Sequence, residues 1–266
     1  MKDGRYFDIY MNSMRNIRMT VEYEGTGYSG WQVQNGKTAD TTRTCRTVQG
    51  SIEAALTSIL QEKVKLTAAS RTDAGVHAAG QVANFKTNNM TVPCAKIQKA
   101  LNSMLDGSIA VSAVSEAGGK FSARHDAKAK VYRYLILNRK NRLVMGRAFF
   151  WHVPYEIDWK KARNAAKIFP GKHDFSGFSS SGSPRINTNC SLKKISISRE
   201  GELYSITLEA DFFLYRMARN IAGFLVAAGR GKIDGKQAEK ILKTGRKTAN
   251  YQTAPAKGLC LMKVRY

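Results

Sequence analysis

The chain has 266 residues, and its 43 Lys and Arg against 20 Asp and Glu give a formal net charge of +23, an excess that calls for a polyanionic partner such as nucleic acid or an anionic membrane surface. No apolar run approaches the roughly 18 residues of a membrane span, and residues 1–16 lack the apolar centre of a signal peptide. The 4 Cys, at 45, 94, 190 and 260, form no Cys-x-x-Cys pair and have no His at ligand spacing, so no zinc pattern is present and reduced thiols in a cytoplasmic protein are expected.

Residues 1–16 read as a tail, with Met11 and Met14 as alternative starts. Ile17, Met19, Val21 and Tyr23 alternate with Arg18, Thr20 and Glu22, the period of a half-buried strand. A turn-rich stretch follows, Gly25-Thr-Gly-Tyr-Ser-Gly-Trp31, and then a polar loop over 35–46. Val48, Ile52, Ala55, Leu56 and Ile59 recur at helical spacing, which predicts a helix to about Gln61. Strands are expected over 64–68, 81–85 and from Ile109, with an amphipathic helix on Ile97, Leu101, Met104 and Leu105 before the last. Next come a strand over 131–138 and a helix whose face carries Trp159, Ala162, Ala166 and Phe169. The Gly- and Ser-rich run 171–184 reads as a loop. Strands at 192–198 and 204–212 precede a helix striped by Leu214, Met217, Ile221 and Leu225, which stops near Gly229 and Gly231. A basic helix near 237–243 and a strand over 259–264 close the chain.

The order strand, helix, strand, strand, helix, strand can be traced in both halves, 17–119 and 120–266. The expected class is therefore α+β: two similar halves with a mixed, mostly antiparallel central sheet flanked by helices, and an active-site cleft between the halves. Charge divides them. Residues 1–119 carry 13 basic and 10 acidic side chains, residues 120–266 carry 30 and 10, so the second half dominates any phosphate-binding surface. Its densest run extends from Lys120 to Arg147, opposed by Asp126 alone. Such a run can be a solvated face as easily as an RNA surface; the asymmetry favours RNA.

Three segments could carry chemistry. Ala69-Ser-Arg-Thr-Asp-Ala-Gly-Val-His-Ala-Ala-Gly80 puts Asp73 on a turn at a strand end, two residues after Arg71. On local pattern alone an Asp bonded to its own turn is the commoner reading. Arg71 shifts the balance, because an Arg beside a partly buried carboxylate favours its charged form, and such a carboxylate can act as nucleophile or base. His77 is the lesser candidate; a His beside Ala78, Ala79 and Gly80 is more often structural. In the second segment, Val131-Tyr-Arg-Tyr-Leu-Ile-Leu137, the period of two puts Tyr132 and Tyr134 on one face. Either ring could stack on a base or belong to the core, and Arg133 on the opposite, apolar face should need a partner. In the third, Phe212 to Gly223, Arg219 lies in the first turns of a helix, where anions are favoured; a surface Arg touching nothing is the plain alternative.

Together Arg71-Thr-Asp-Ala-Gly-Val-His77, Tyr132-Arg-Tyr134 and Met217-Ala-Arg-Asn-Ile221 resemble the motifs of the tRNA pseudouridine synthase A family. Tyr23-Glu-Gly-Thr-Gly-Tyr-Ser-Gly-Trp-Gln32 and Gly258-Leu-Cys-Leu261 fit the same pattern, so the resemblance runs from about Ile17 to the C-terminus. It implies isomerisation of uridine to pseudouridine in the tRNA anticodon stem-loop, at positions 38, 39 and 40, with no metal, no organic cofactor and a homodimer. It also implies roles: Asp73 as nucleophile, Tyr132 stacking on the target base, Arg219 as the basic partner of the aspartate, and Arg71 in displacing the base. The target lies in a stem, so it must be flipped out at a cost of a few kcal/mol.

Two departures stand out. The loop over 35–46 is longer than usual, and Ser103-Met-Leu-Asp-Gly107 replaces the family's common Asn-Leu-Pro. Two other readings compete. A non-catalytic RNA-binding protein of paired α+β modules would explain the charge and Tyr132, with Asp73 as a turn residue. A Rossmann-type nucleotide enzyme would use the G-x-G-x-x-G spacing of residues 25–30, but Trp31 and a polar loop stand where its helix should begin.

Overall fold

The computed structural model describes residues 14–33, 46–180 and 187–266. The expected tail, the long loop over 35–46 and the end of the 171–184 run therefore lie mostly outside the described residues. The chain divides into two compact units, Met1–Ala127 and Lys128–Tyr266. The stretch 120–127 sits with the first unit.

In the first unit the elements are β1 (Arg15–Tyr23), α1 (Val48–Leu60), β2 (Thr67–Ala68), β3 (His77–Thr87), α2 (Cys94–Met104) and β4 (Ile109–Ala117). β1 is central, antiparallel to both β3 and β4. Ile17, Met19 and Val21 alternate inward and are fully buried, so one sheet face meets Ile52 and Leu56 of α1 and Ile97 and Leu101 of α2, all fully buried too. Only two residues of the expected 64–68 strand pair, Thr67 with Asn84 and Ala68 with Ala83. β3, in contrast, is longer than its apolar residues announce, because its buried polar groups are matched. Asn84 donates to Asn16 Oδ1 at 2.9 Å and accepts from the Ala123 N–H at 2.8 Å, while Asn16 donates to the carbonyls of Gly118 and Phe121.

The second unit contains β5 (Ala129–Asn138), β6 (Trp151–Val153), α3 (Trp159–Ala166), β7 (Gly171–Asp174), β8 (Asn189–Glu200), β9 (Leu203–Ala210), α4 (Met217–Gly229), α5 (Gly235–Thr244) and β10 (Leu259–Arg265). Its sheet runs in the order β10, β5, β9, β8, β7, antiparallel throughout, and β6 joins the end of β5 in parallel. Two elements depart from expectation. β6 is too short to show a period. β7 forms inside the segment read as a loop, because an edge strand needs only one partner and Gly171, at φ +117, turns the chain into it. α4 packs on β5 with α3 beside it; of its thirteen residues all but Arg219 are buried. Phe169, Phe175 and Phe178, each fully buried, gather with Phe224 and Tyr251 under the helices. The architecture is α+β with mostly antiparallel sheets, as expected.

Candidate active site

The Asp73 turn is held by residues far from it in sequence. The Asp73 carbonyl accepts from the Val76 N–H at 3.1 Å, and Gly75 closes the turn at φ +78. On one side Gln81, fully buried within β3, donates to the Ser70 carbonyl at 2.6 Å and accepts from its N–H. On the other, Thr72 is buried; its hydroxyl meets that of Tyr23 at 2.8 Å and its carbonyl accepts from the Trp31 N–H at 3.1 Å. Gly30 lies behind it at φ +94. A Cβ there would sit 2.6 Å from the Thr72 oxygen and 3.1 Å from the Asp73 carbonyl carbon. Gly25 approaches the Val76 backbone more closely still, and its N–H donates to His77 Nδ1 at 3.0 Å.

The glycine-rich stretch before Trp31 is thus a backbone brace for the turn. This is a finding the sequence reading missed; the signal was two glycines spaced for close approach. It also settles part of the His77 question. Nδ1 accepts a backbone hydrogen bond and the ring is 4% exposed, as expected of a structural His. With the backbone clamped at Ser70, Thr72 and Val76, the side chain of Arg71 is left exposed and that of Asp73 half-buried. A rigid backbone presenting a carboxylate and a guanidinium is what positioning a reacting group needs.

In the second unit β5 carries both tyrosines inward: Tyr132 is 5% exposed and Tyr134 fully buried. Tyr134 is structural. Its hydroxyl donates to the Pro255 carbonyl at 2.7 Å, and burial pushes its pKa well above the ordinary phenol value, a shift that the nearby Arg219 partly opposes. Gly258 must be small here, since a Cβ would fall 2.6 Å from the Tyr134 ring carbon Cζ. Tyr132 meets Phe213 edge-on, with ring centres 4.9 Å apart. Arg133 is exposed, so the partner expected for a buried guanidinium is not required.

The Met217–Gly223 motif has a packing logic of its own. Arg219 Nε donates to the Ala254 carbonyl at 2.8 Å, and the Ala254 N–H returns a bond to the Arg219 carbonyl at 3.2 Å. Asn220, buried, donates to the Phe178 carbonyl and accepts from the Thr253 hydroxyl. Gly223 lets the backbone of Gln252 lie directly on the helix. Arg219 is thus fixed by its own helix and by the 252–254 segment, and is not a loose surface residue. Arg216 enters α4 at φ +59, a left-handed conformation rare outside glycine, with its guanidinium over the Tyr215 ring. Among the described residues no cluster of His, Cys, Asp and Glu could hold a metal ion, and no helix is long and apolar enough to cross a membrane.

A braced carboxylate turn lies in one α+β unit, and a tyrosine strand with a fixed arginine lies in another, strongly basic one. The family model described as tRNA pseudouridine synthase matches residues 19–126 and 165–266. Curated relatives agree over nearly the whole chain. The tRNA pseudouridine synthase A of Thermoanaerobacter sp. (strain X514) is 41% identical over 95% of this chain and 100% of its own, and that of Acetivibrio thermocellus is 40% identical over the same shares. The Geotalea uraniireducens protein of that name is 41% identical, again covering 95% and 100%. Among solved structures, one from an archaeal box H/ACA sRNP complex aligns with 85% of this chain and 47% of its own at 10% identity and a TM-score of 0.34, too distant to bear on the argument. The chain belongs to the tRNA pseudouridine synthase family, and its activity is the isomerisation that makes pseudouridine in tRNA.

Proposed function

We propose that this chain converts uridine to pseudouridine at positions 38, 39 and 40 of the tRNA anticodon stem-loop, with Asp73 as the nucleophile. The observation that carries this reading is the braced turn: Tyr23, Gly25, Gly30, Trp31 and Gln81 immobilise its backbone, with Arg71 exposed and Asp73 half-buried. A turn that merely reversed the chain would not need so many buried partners.

The isomerisation breaks the bond between the ribose C1′ and N1, turns the uracil while it is held, and joins C1′ to C5; the C5 hydrogen leaves as a proton and N1 takes one up, so the product is an isomer. Basic side chains of the second unit grip phosphates, Arg71 helps hold the base out of its stem, and Tyr132, 5% exposed beside Phe213, is the ring that the family motif gives for stacking on it. Asp73 then attacks the sugar or the uracil, or removes a proton; the three routes share the same carboxylate. Arg219 is the basic partner that the family motif gives the aspartate. None of these steps asks for a metal or an organic cofactor. The reading extends to a homodimer acting in the cytoplasm. The exposed apolar Leu143, Val144, Met145 and Phe149 favour the dimer. The thiols of Cys94, Cys190 and Cys260, which form no disulfide among the described residues, favour a reducing compartment.

The Asp73→Asn variant tests the assignment. Pseudouridine formation should vanish while tRNA affinity stays within a few-fold; turnover in that variant would rule out Asp73 as nucleophile. A non-catalytic RNA-binding protein is separated by tritium release from tRNA labelled at uridine C5, which only the synthase produces.

A further inference from the structure

Beside β6 lies a cavity of about 270 Å³ in the second unit, lined in part by Trp151, Tyr155, Arg230, Lys232, Asn250 and Tyr251. Its chemistry is uneven. The described residues that line it include aromatic rings, amides and two cations, and no carboxylate. Tyr155 is 57% exposed, and the Arg230 guanidinium sits over its ring, 4.2 Å from the centre. The Tyr251 hydroxyl is buried and, among the described residues, has no hydrogen-bond partner, a state that native proteins seldom leave uncompensated. A flat ring capped by a guanidinium, with a second cation and amide groups nearby, suits a planar base attached to a phosphate.

The mouth of the cavity, at Tyr155 and Arg230, stands apart from Tyr132 and Arg219, while its inner end, at Gly223 and Gln252, adjoins the α4 motif. Trp151 pairs with Ile136, four residues along β5 from Tyr132, or about 13 Å at ~3.3 Å per residue. Arg230 follows the C-terminus of α4, eleven residues after Arg219, or about 16 Å at ~1.5 Å per residue. Two elements thus separate the mouth of the cavity from the residues proposed to act on the target base. A second cavity of about 570 Å³ shares Lys232 with the first and adds Lys161. The carboxylate lining it, Asp234, is engaged in capping α5, where it accepts from the Gln237 N–H at 3.1 Å. Lys232 therefore continues the cationic lining out of the first cavity toward Lys161, whose Nζ lies 3.8 Å from Asp158 Oδ2.

We propose that the cavity beside Tyr155 and Arg230 receives an unpaired nucleotide of the RNA substrate other than the uridine that reacts. Its base stacks on Tyr155, and its phosphate lies between Arg230 and Lys232, with the strand continuing toward Lys161. The cavity holds one nucleotide and has no room for a duplex, so the occupant is a loop or flipped-out residue. This proposal rests on tRNA being the substrate.

Steady-state pseudouridine formation and filter binding with full-length tRNA test it. Tyr155→Ala should raise KM and the dissociation constant about tenfold, the usual effect of losing one stacked base, with kcat within twofold. Tyr155→Phe keeps the ring and should match the parent. Arg230→Gln should weaken binding and lower the slope of log affinity against log salt by about one. An unchanged dissociation constant in Tyr155→Ala overturns the proposal. So does a loss of affinity that accompanies a shift to a smaller species in sedimentation, which would make the cavity an interface between copies. Inhibition of the parent by micromolar UMP that disappears in Tyr155→Ala would make it a mononucleotide site and also overturn it. If the parent binds tRNA but forms no pseudouridine, the functional reading fails instead, and filter binding still decides the fate of the cavity.

Discussion

Gly30 has φ +94 and backs directly onto the carbonyls of Thr72 and Asp73, so a methyl group there acts twice. It strains the backbone by roughly 1–2 kcal/mol and pushes the turn that carries the carboxylate. Gly30→Ala should therefore lower kcat about a hundredfold, the scale of a ~1 Å misplacement, while tRNA affinity changes little. Rapid-quench single-turnover measurements would read the chemical step directly; an unaltered rate would mean that the brace does not position Asp73. His77 offers a contrast. His77→Ala leaves the buried Gly25 N–H without its acceptor, which should cost about 1–3 kcal/mol of stability. Thermal and urea unfolding should register that loss, and cooling the variant should recover most of the activity, whereas a proton-transferring His would lose it at every temperature. Asp106 is a third case. Bonds from the Ser108 hydroxyl and N–H, helped by Arg46, hold its carboxyl well below the usual range, at about 2. A carboxyl with a lowered folded pKa stabilises above its unfolded value near 3.8 and loses that contribution as pH falls through about 2. Asp106→Asn should thus narrow the stability difference between pH 5 and pH 2. Because the group is exposed, screening keeps the effect small; an acid unfolding curve identical to the parent's would show that the bonds contribute nothing.

At the scale of elements, α4 is the part that depends most on its neighbours. Arg219, Asn220 and Gly223 all serve to bind the 252–254 segment, so the helix and that segment should behave as one cooperative unit. Gly223→Ala would drive a methyl into the Gln252 carbonyl, overpacking of a kind that costs about 1–3 kcal/mol. Amide exchange in α4 and in 249–254 should accelerate together; acceleration confined to the helix would disprove the coupling. How far the sequence revealed these elements follows from where their information lies. α1 and β9 were legible because one face of each is apolar at the proper period, and α4 because it is apolar on nearly every side. β3 was legible only at its centre, since Gln81, Asn84 and Thr87 look like surface residues until their buried partners are known. β6 and β7, with three and four residues, are too short to carry a period and exist because a neighbouring strand pairs with them. The same division holds for the site. Asp73, Arg71, Tyr132 and Arg219 could be singled out from local pattern and family motif. The brace of Gly25 and Gly30, the fixing of Arg219 by Ala254 and the cavity beside Tyr155 depend on long-range packing that no local window contains.

For the whole molecule, the distribution of charge makes a prediction that no single residue does. The net charge of +23 resides almost wholly in residues 120–266, where 30 basic side chains stand against 10 acidic, while residues 1–119 are nearly balanced. Buried hydrogen bonds and apolar packing build both units; a surplus of this size has no role in folding and opposes it through self-repulsion. Its use must be in binding, and binding of phosphates by lysine and arginine releases counterions in proportion to the phosphates neutralised. A surface that engages about 6–10 phosphates should lose roughly 10³–10⁵ in affinity between about 50 and 200 mM salt. Replacing exposed basic residues of the second unit, such as Lys140, Arg142 and Arg147, by Gln should reduce the slope of log affinity against log salt by nearly one for each phosphate no longer held. Equivalent changes in the first unit, at the exposed Lys63, Lys65 and Lys99, should leave the slope close to the parent's. Filter binding of tRNA across a salt series, run on both triple variants, separates the cases: equal slopes for the two would show that the charge asymmetry is not the basis of RNA binding, and the phosphate surface would then have to be sought in the first unit.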